Sequence, residues 1–270
     1  MKRIAFLGLL LIGGCASAAS APVPLSLTRL DCGHALVKDF DAFFSDSHEL
    51  PAGPRPITDS CYLVRHGRET LLWDTGFPAA LAGQTVDMGA LVVTVDRTIV
   101  QQLAVLGLKP ADINIVGISH KHGDHVGQAA DFPGAKLLVG KADFETSTGD
   151  KDPFGPWRAA GARVQLEHGG DIDVFGDGRV IALNTPGHTP DHMSLLVKLA
   201  SGNVLLTGDL YHSALARNLR QVPGFNTSRA ETLASIDRFE RLATAYHATV
   251  IIQHEPGDVA KLPAFPAAAK

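Results

Sequence analysis

Residues Gly117 to Gly127 read GISHKHGDHVG. Three histidines and an aspartate, His120, His122, Asp124 and His125, fall within six residues of this stretch. Imidazole and carboxylate are the ligands zinc takes when thiolates are absent. The apolar segment Ile113 to Ile118 runs into the cluster and reads as a buried strand. The histidines therefore begin where a strand ends, and in α/β proteins strand ends gather at the edge of a sheet where sites form. A chance H-x-H-x-D-H in a chain of this composition has a probability of about two in a thousand, which sets aside a histidine-rich surface loop.

Working outward, three more candidates stand in the same position relative to a strand. Arg179 to Leu183 is a short strand leading into NTPGHTPDH, which carries His188. Met193 to Leu199 and Asn203 to Leu206 form a hairpin turning at Ser201-Gly202, and it ends at TGD with Asp209. Thr249 to Ile252 is a last strand, followed by His254. Four distant segments can thus converge on one spot. The seven candidates are His120, His122, Asp124, His125, His188, Asp209 and His254. Seven ligands suffice for two ions ~3.5–4 Å apart with one carboxylate shared between them. A set free of cysteine suits a catalytic site better than a closed structural one.

The rest of the chain supports an α/β class. Ser60 to Arg65 and Thr70 to Trp73 read as a hairpin around HGRE, Asp96 to Leu106 as a helix, and Lys136 to Val139 as a short strand. Ser228 and Glu231 have capping-box spacing, and Leu233, Ile236, Phe239 and Leu242 continue as an apolar stripe. The Pro/Ala-rich tail after Lys261 reads as a surface segment. The 270 residues carry a net charge of −4 with both signs mixed, and no basic run marks a nucleic-acid partner. Lys2 and Arg3, the apolar run Ile4 to Ile12 and small residues to Ala21 have the layout of a secretory signal. The expected organisation is a signal peptide over residues 1–20 and one metallo-hydrolase domain over 21–270, in a protein that is exported to the periplasm. LIGGC, ending at Cys15, resembles a lipobox and implies a lipid anchor as the membrane contact. Cys32 and Cys61 are read as two buried thiols on adjacent strands, with a disulfide as the alternative.

The H-x-H-x-D-H loop, the TPGHTP turn, the TGD after a hairpin, the late histidine and LLWDTG at Leu71 to Gly76 together resemble the metallo-β-lactamase fold superfamily. The resemblance implies an αβ/βα sandwich with its metals at one edge. It implies that His120, His122 and His188 hold a first metal, that Asp124, His125 and His254 hold a second, and that Asp209 bridges them. It also casts Asp74 as a support of the metal loop, the alternative being a simple turn residue. Zinc β-lactamases as a rule lack an aspartate at the position of Asp209, the di-iron branch carries Glu at that of His122, and nuclease branches add a further domain. Within what remains, DSCYLVRHGRETLLWDTG, SHKHGDHVG, TPGHTPDHMSLLV and VLLTGDLYHS are similar to the N-acyl-homoserine lactonase-like family. Two departures stand out: Asp191 where a glycine is common, and His212, beside Tyr211, where the family carries a tyrosine.

The expected activity is that of a dinuclear zinc hydrolase, with manganese, iron or cobalt as alternative metals, that opens a lactone or related ester by attack of a metal-bridging hydroxide. Asp124 would hydrogen-bond that hydroxide, and His212 or Tyr211 would supply or orient the leaving group's proton. His192 is read as structural rather than as a ligand. Rival readings are hydrolysis of a β-lactam, a glyoxalase II-like thioesterase, and a metal-storage protein without turnover. Specificity is expected in the loops Lys141 to Arg158 and Tyr211 to Asn226.

Overall fold

Apolar strand segments along the chain, some alternating and some continuously buried, build two facing sheets. In the computed structural model, which describes residues 23–149, 152–159 and 161–270, the first half of the chain gives β1 (Leu25–Val37), α1 (Phe40–Phe44), β2 (Arg55–His66), β3 (Glu69–Trp73), β4 (Gln84–Asp87), β5 (Leu91–Val95), α2 (Ile99–Val105) and β6 (Ile115–Gly117). There follow α3 (Gly123–Val126), β7 (Lys136–Gly140), α4 (Lys141–Thr146), β8 (Val164–Glu167), β9 (Ile172–Asp173) and β10 (Val180–Asn184). The chain closes with β11 (Met193–Leu199), β12 (Gly202–Leu206), α5 (Ala214–Leu219), α6 (Arg229–Ala245) and β13 (Thr249–Ile251). The signal segment and Cys15 lie outside the described residues.

One sheet has the order β4-β5-β1-β2-β3-β6-β7-β8 and the other β13-β12-β11-β10-β9. The inner faces share a core that includes Leu27, Val64 and Trp73 from the first sheet and Met193, Leu195 and Leu206 from the second. Helix α2 covers the outside of the first sheet through Ile99 and Leu103. Helix α6 covers the outside of the second through Ile236 and Phe239, with Leu233 and Leu242 partly buried beside them. This is the αβ/βα sandwich, and the expected apolar stripe is its outer helix contact.

Local rules explain the boundaries. The expected helix 96–106 starts at Ile99 because Thr98 caps it, its side chain accepting from Gln101 N while Gln101 reaches back. At α6 only half of the expected box forms: Ser228 accepts from Glu231 N. The tail is not a free surface segment. Leu27 and Ala269 exchange both backbone hydrogen bonds, and Leu262 is buried in the core between the sheets.

Cys32 and Cys61 are joined in a disulfide, with Cα atoms 5.8 Å apart, which corrects the reading as free thiols. The cause is a bulge. Asp31 pairs with Ser60 and Gly33 with Asp59, so Cys32 is the extra residue on β1 and its side chain swings toward the neighbouring strand. The bridge lies under the Asp74-Thr75-Gly76 turn, since a Cβ on Gly76 would fall 2.5 Å from Cys32 Cβ.

A bridge spanning 29 residues stabilises by about 3 kcal/mol through the unfolded chain. Urea unfolding of the oxidised protein and of Cys61→Ser should therefore show a lower midpoint for the variant, and a reductant should move the wild type toward it. Identical midpoints with and without reductant would show that the bridge is absent or idle in solution.

Candidate active site

Strands β6, β12 and β13 all end at the same edge of the sandwich, and the loop after β10 folds back to it. Backbone bonds lock the loops together there: Met193 N donates to Ser119 O, Thr207 N to Ile251 O and Thr58 N to His254 O. Close approach explains two glycines. A Cβ on Gly127 would lie 2.3 Å from Pro78 N, so the histidine loop can pack backbone to backbone against the turn after β3. Gly208, at φ +55, would drive a Cβ to 2.6 Å from His192 Nε2.

The seven predicted residues meet at this edge in two groups, His120, His122, His188 and Asp209, and Asp124, His125 and His254. Within each group one ligand atom per residue lies within 4.8 Å of all the others. Asp209 stands between them. Its Oδ2 is 3.6 Å from His120 Nε2 and 3.5 Å from His188 Nε2, whereas its Oδ1 is 3.2 Å from His125 Nε2 and 3.0 Å from His254 Nε2. His122 Nδ1 is 3.0 Å from both His120 Nε2 and His188 Nε2. Tetrahedral zinc with bonds near 2.1 Å sets its ligands about 3.4 Å apart, and these spacings match.

Outer partners decide which nitrogen faces inward. His125 Nδ1 donates to Asp74 Oδ2, His254 Nδ1 to the Thr58 carbonyl and His188 Nδ1 to Asn226 Oδ1. In the neutral rings Nε2 is then a lone pair aimed at the centre. His125 Nε2 and Asp209 Oδ1 are buried without a hydrogen-bond partner. Lone pairs facing a carboxylate in a dry site repel unless a cation lies among them, so this donor set fits bound metal. Electrostatics agree. Burial, then His125, holds His120 well below its ordinary pKa, and burial does the same to His188. Around His125, Asp209, Asp74 and Asp124 outweigh burial and raise its pKa. Burial also opposes charge on His254, yet Asp209 pushes it up to about 9. The centre draws positive charge.

Asp74 is both a turn residue and a support. At φ 57 it adopts the left-handed conformation, which aspartate tolerates. Fully buried, it accepts from Ser119 N, Ser119 Oγ and His125 Nδ1. His192 is structural, as expected: Nδ1 donates to the Thr185 carbonyl and Nε2 accepts from Asp209 N, so neither nitrogen is left for a metal. His212 reaches the centre, with Nε2 3.2 Å from Asp209 Oδ2 and its ring stacked on Phe44 at 4.4 Å. Tyr211 does not. Its hydroxyl donates to Glu240 at 2.7 Å and its ring lies in the core under α6. The alternation of a strand-like backbone turns adjacent side chains to opposite sides, so only one of Tyr211 and His212 can face the centre.

The site opens into a cavity of about 600 Å³. Phe43, Phe44, Ile57, Phe77, Leu91 and Phe225 form much of its wall, and among the described residues no lysine or arginine lines it. Of the two loops expected to set specificity, Tyr211 to Asn226 contributes His212 and Phe225, while the described part of Lys141 to Arg158 contributes nothing. Sequence reading missed the wall because it is scattered over α1, β2 and the loops beside β3 and β5. The one signal was FDAFF, whose phenylalanines at 40, 43 and 44 share a helix face.

A family model described as the metallo-beta-lactamase superfamily matches residues 55–254. The chain belongs to the metallo-β-lactamase superfamily. Its relatives include the N-acyl homoserine lactonase AttM of Azorhizobium caulinodans, 30% identical over 72% of this chain and 81% of that one. An N-acyl homoserine lactonase of a Bacillus species is also 30% identical, over 72% and 80%. Among solved structures, a quorum-quenching N-acyl homoserine lactone hydrolase superposes with a TM-score of 0.76 at 23% identity, covering 92% of this chain and 99% of that one. The dizinc quorum-quenching lactonase AidC gives 0.64 at 19%, covering 92% and 90%. The structural likeness carries the fold; the sequence relatives place the chain in the lactonase-like family. It is a metal-binding enzyme of the hydrolase class.

Asp209→Ala removes the only carboxylate shared by both groups. Elemental analysis after dialysis should find most of the bound metal gone while far-UV circular dichroism stays native; full retention of metal would remove Asp209 from the centre.

Proposed function

We propose that this superfamily member is a dinuclear zinc hydrolase that opens a lactone or related carboxylic ester bearing an apolar tail. The observation that carries the reading is the split of Asp209, one oxygen to each ligand group, at the end of an apolar cavity. In this assignment His120, His122 and His188 hold one ion, Asp124, His125 and His254 the other, and Asp209 both. When bound, two zinc ions supply an activated hydroxide and polarise the substrate carbonyl. The names of the sequence relatives, N-acyl homoserine lactonases, support a lactone and a role in quorum quenching.

The chain's own residues do the rest. Asp124 lines the cavity beside the centre and can accept a hydrogen bond from the nucleophile. The apolar wall takes up the tail and excludes water, each buried methylene contributing about 0.8 kcal/mol. His212 handles the proton. Because a carboxylate only accepts, its contact with Asp209 puts the hydrogen on Nε2 and leaves Nδ1 to take one. Burial holds this ring below its ordinary pKa, which favours the neutral form. Nε2, the nitrogen that faces the centre, is the one that can pass its proton to the departing alkoxide. Among the described residues the cavity wall has no Lys or Arg to pair with the carboxylates of a glutathione thioester. The signal-like N-terminus and the Cys32–Cys61 bridge support export into an oxidising compartment, with Cys15 as a site for a lipid anchor.

The deciding experiment is a hydrolysis screen with purified mature protein carrying about two zinc ions per chain. Lactones and esters with alkyl tails should be cleaved, with kcat/KM rising up to about fourfold per methylene until the cavity is full. Cleavage of β-lactams alone, or of nothing, would overturn the reading.

His212→Ala should lower kcat for alkyl lactones by about 10²–10⁴-fold with metal content unchanged, and the loss should shrink for esters with good leaving groups. Tyr211→Phe, the control, should leave kcat near wild type. A His212→Ala protein that loses metal would make His212 a ligand instead.

A further inference from the structure

The segment expected to line the substrate cavity braces the ligand loops instead. Helix α4 starts beside the TPGHTPDH turn: Asp191 Oδ2 accepts from Ala142 N at 2.6 Å, and a Cβ on Gly140 would lie 2.6 Å from Asp191 Cβ. The aspartate that replaces the family's usual glycine thus tethers the first turn of α4 to the His188 loop. From that turn Asp143 points inward and is fully buried. Its Oδ2 accepts from Lys121 N, at 3.2 Å, and from Thr189 Oγ1, at 2.8 Å. Lys121 lies between His120 and His122, and Thr189 follows His188. One carboxylate oxygen therefore ties together the two loops that carry three of the four residues in the first ligand group. Lys121 Nζ reaches the same helix, donating to Thr146 Oγ1 at 2.6 Å. Asp143 does not line the cavity, and its side-chain hydrogen bonds go to the neighbours of the ligand residues rather than to any of the seven. It forms no ion pair among the described residues, and burial pushes its carboxyl up to about 6.

We infer that Asp143 is a positioning residue of the metal centre, fixing the spacing of His120, His122 and His188 by joining their loops to α4. Ligand nitrogens must be held to within about 0.5 Å for firm binding, and the bond from Lys121 N to Asp143 fixes the backbone between two of them. Lys121 N needs an acceptor, because an unpaired buried amide is unfavourable. The inference rests on metal binding at the cluster and is independent of the substrate.

The test uses the purified full domain loaded with cobalt(II), reading the visible spectrum of the bound ion, its release rate to EDTA, and kcat and KM for a hydrolysed lactone. Asp143→Ala should release cobalt about tenfold faster or more, shift the visible band and lower kcat with KM within about twofold. Thr189→Val, which removes one bond at constant shape, should move all three readouts the same way by less. Asp143→Asn should restore them, since its amide oxygen accepts both bonds. If Asp143→Ala does not fold, Thr189→Val and Asp143→Asn decide alone. Cobalt release and spectra unchanged in Thr189→Val, or Asp143→Asn as impaired as Asp143→Ala, would overturn the brace. Wild-type protein that takes up no cobalt overturns the metal reading and the brace with it; wild type that holds cobalt beside an Asp143→Ala protein that holds it as firmly overturns the brace alone.

Discussion

Everything at the active edge is arranged around a charge problem at Asp209. A buried carboxylate has five histidine nitrogens directed at it, and three of those rings, when neutral, keep their ring hydrogen on an outer acceptor. In a site shielded from water such a set of lone pairs is unstable by itself. A bound cation would turn the repulsion into attraction, and the two oxygens of Asp209 face one residue group each. The outer acceptors come from three different parts of the chain. Asp74 lies after β3, Thr58 in β2, and Asn226 just before α6. The centre is thus a joint between the two sheets rather than an addition to one of them.

Polarity falls off sharply away from that joint. The metal end of the cavity carries the histidines and carboxylates, while the wall beyond is mostly aromatic and aliphatic. His212 sits at the boundary, bonded to Asp209 on one side and stacked on Phe44 on the other. The ring thus lies between the polar end of the cavity and its apolar wall. The arrangement suits a substrate with one polar, hydrolysable group and an apolar remainder.

Support of the loops is divided in a similar way. The Asp74 turn rests on the Cys32–Cys61 bridge and holds His125 through one carboxylate oxygen. Asp143, on the far side, holds the stretch between His120 and His122. The two anchors hold the same eleven-residue loop GISHKHGDHVG at different points, Ser119 and His125 for one and Lys121 for the other. Such a loop keeps its ligands in place without a long helix or strand of its own.

What the sequence determined by itself is the chemistry of the centre and the class of the fold. All seven ligand candidates were legible because each is a metal-binding side chain placed just past an apolar strand, and strand order forces such ends to one edge. The apolar stripe of α6, the hairpin around HGRE and the strand before His120 followed from periodicity for the same local reason. Only the tertiary structure decided the rest. It turned Tyr211 toward Glu240 and His212 toward Asp209, a choice set by which side of the backbone faces the core. It joined Cys32 to Cys61 through a bulge that no spacing rule reveals. It built the cavity wall from α1, β2 and the loops beside β3 and β5, and gave the loop after β7 a bracing role. These outcomes depend on contacts between residues tens to hundreds of positions apart, and local patterns carry no record of which distant surfaces will meet.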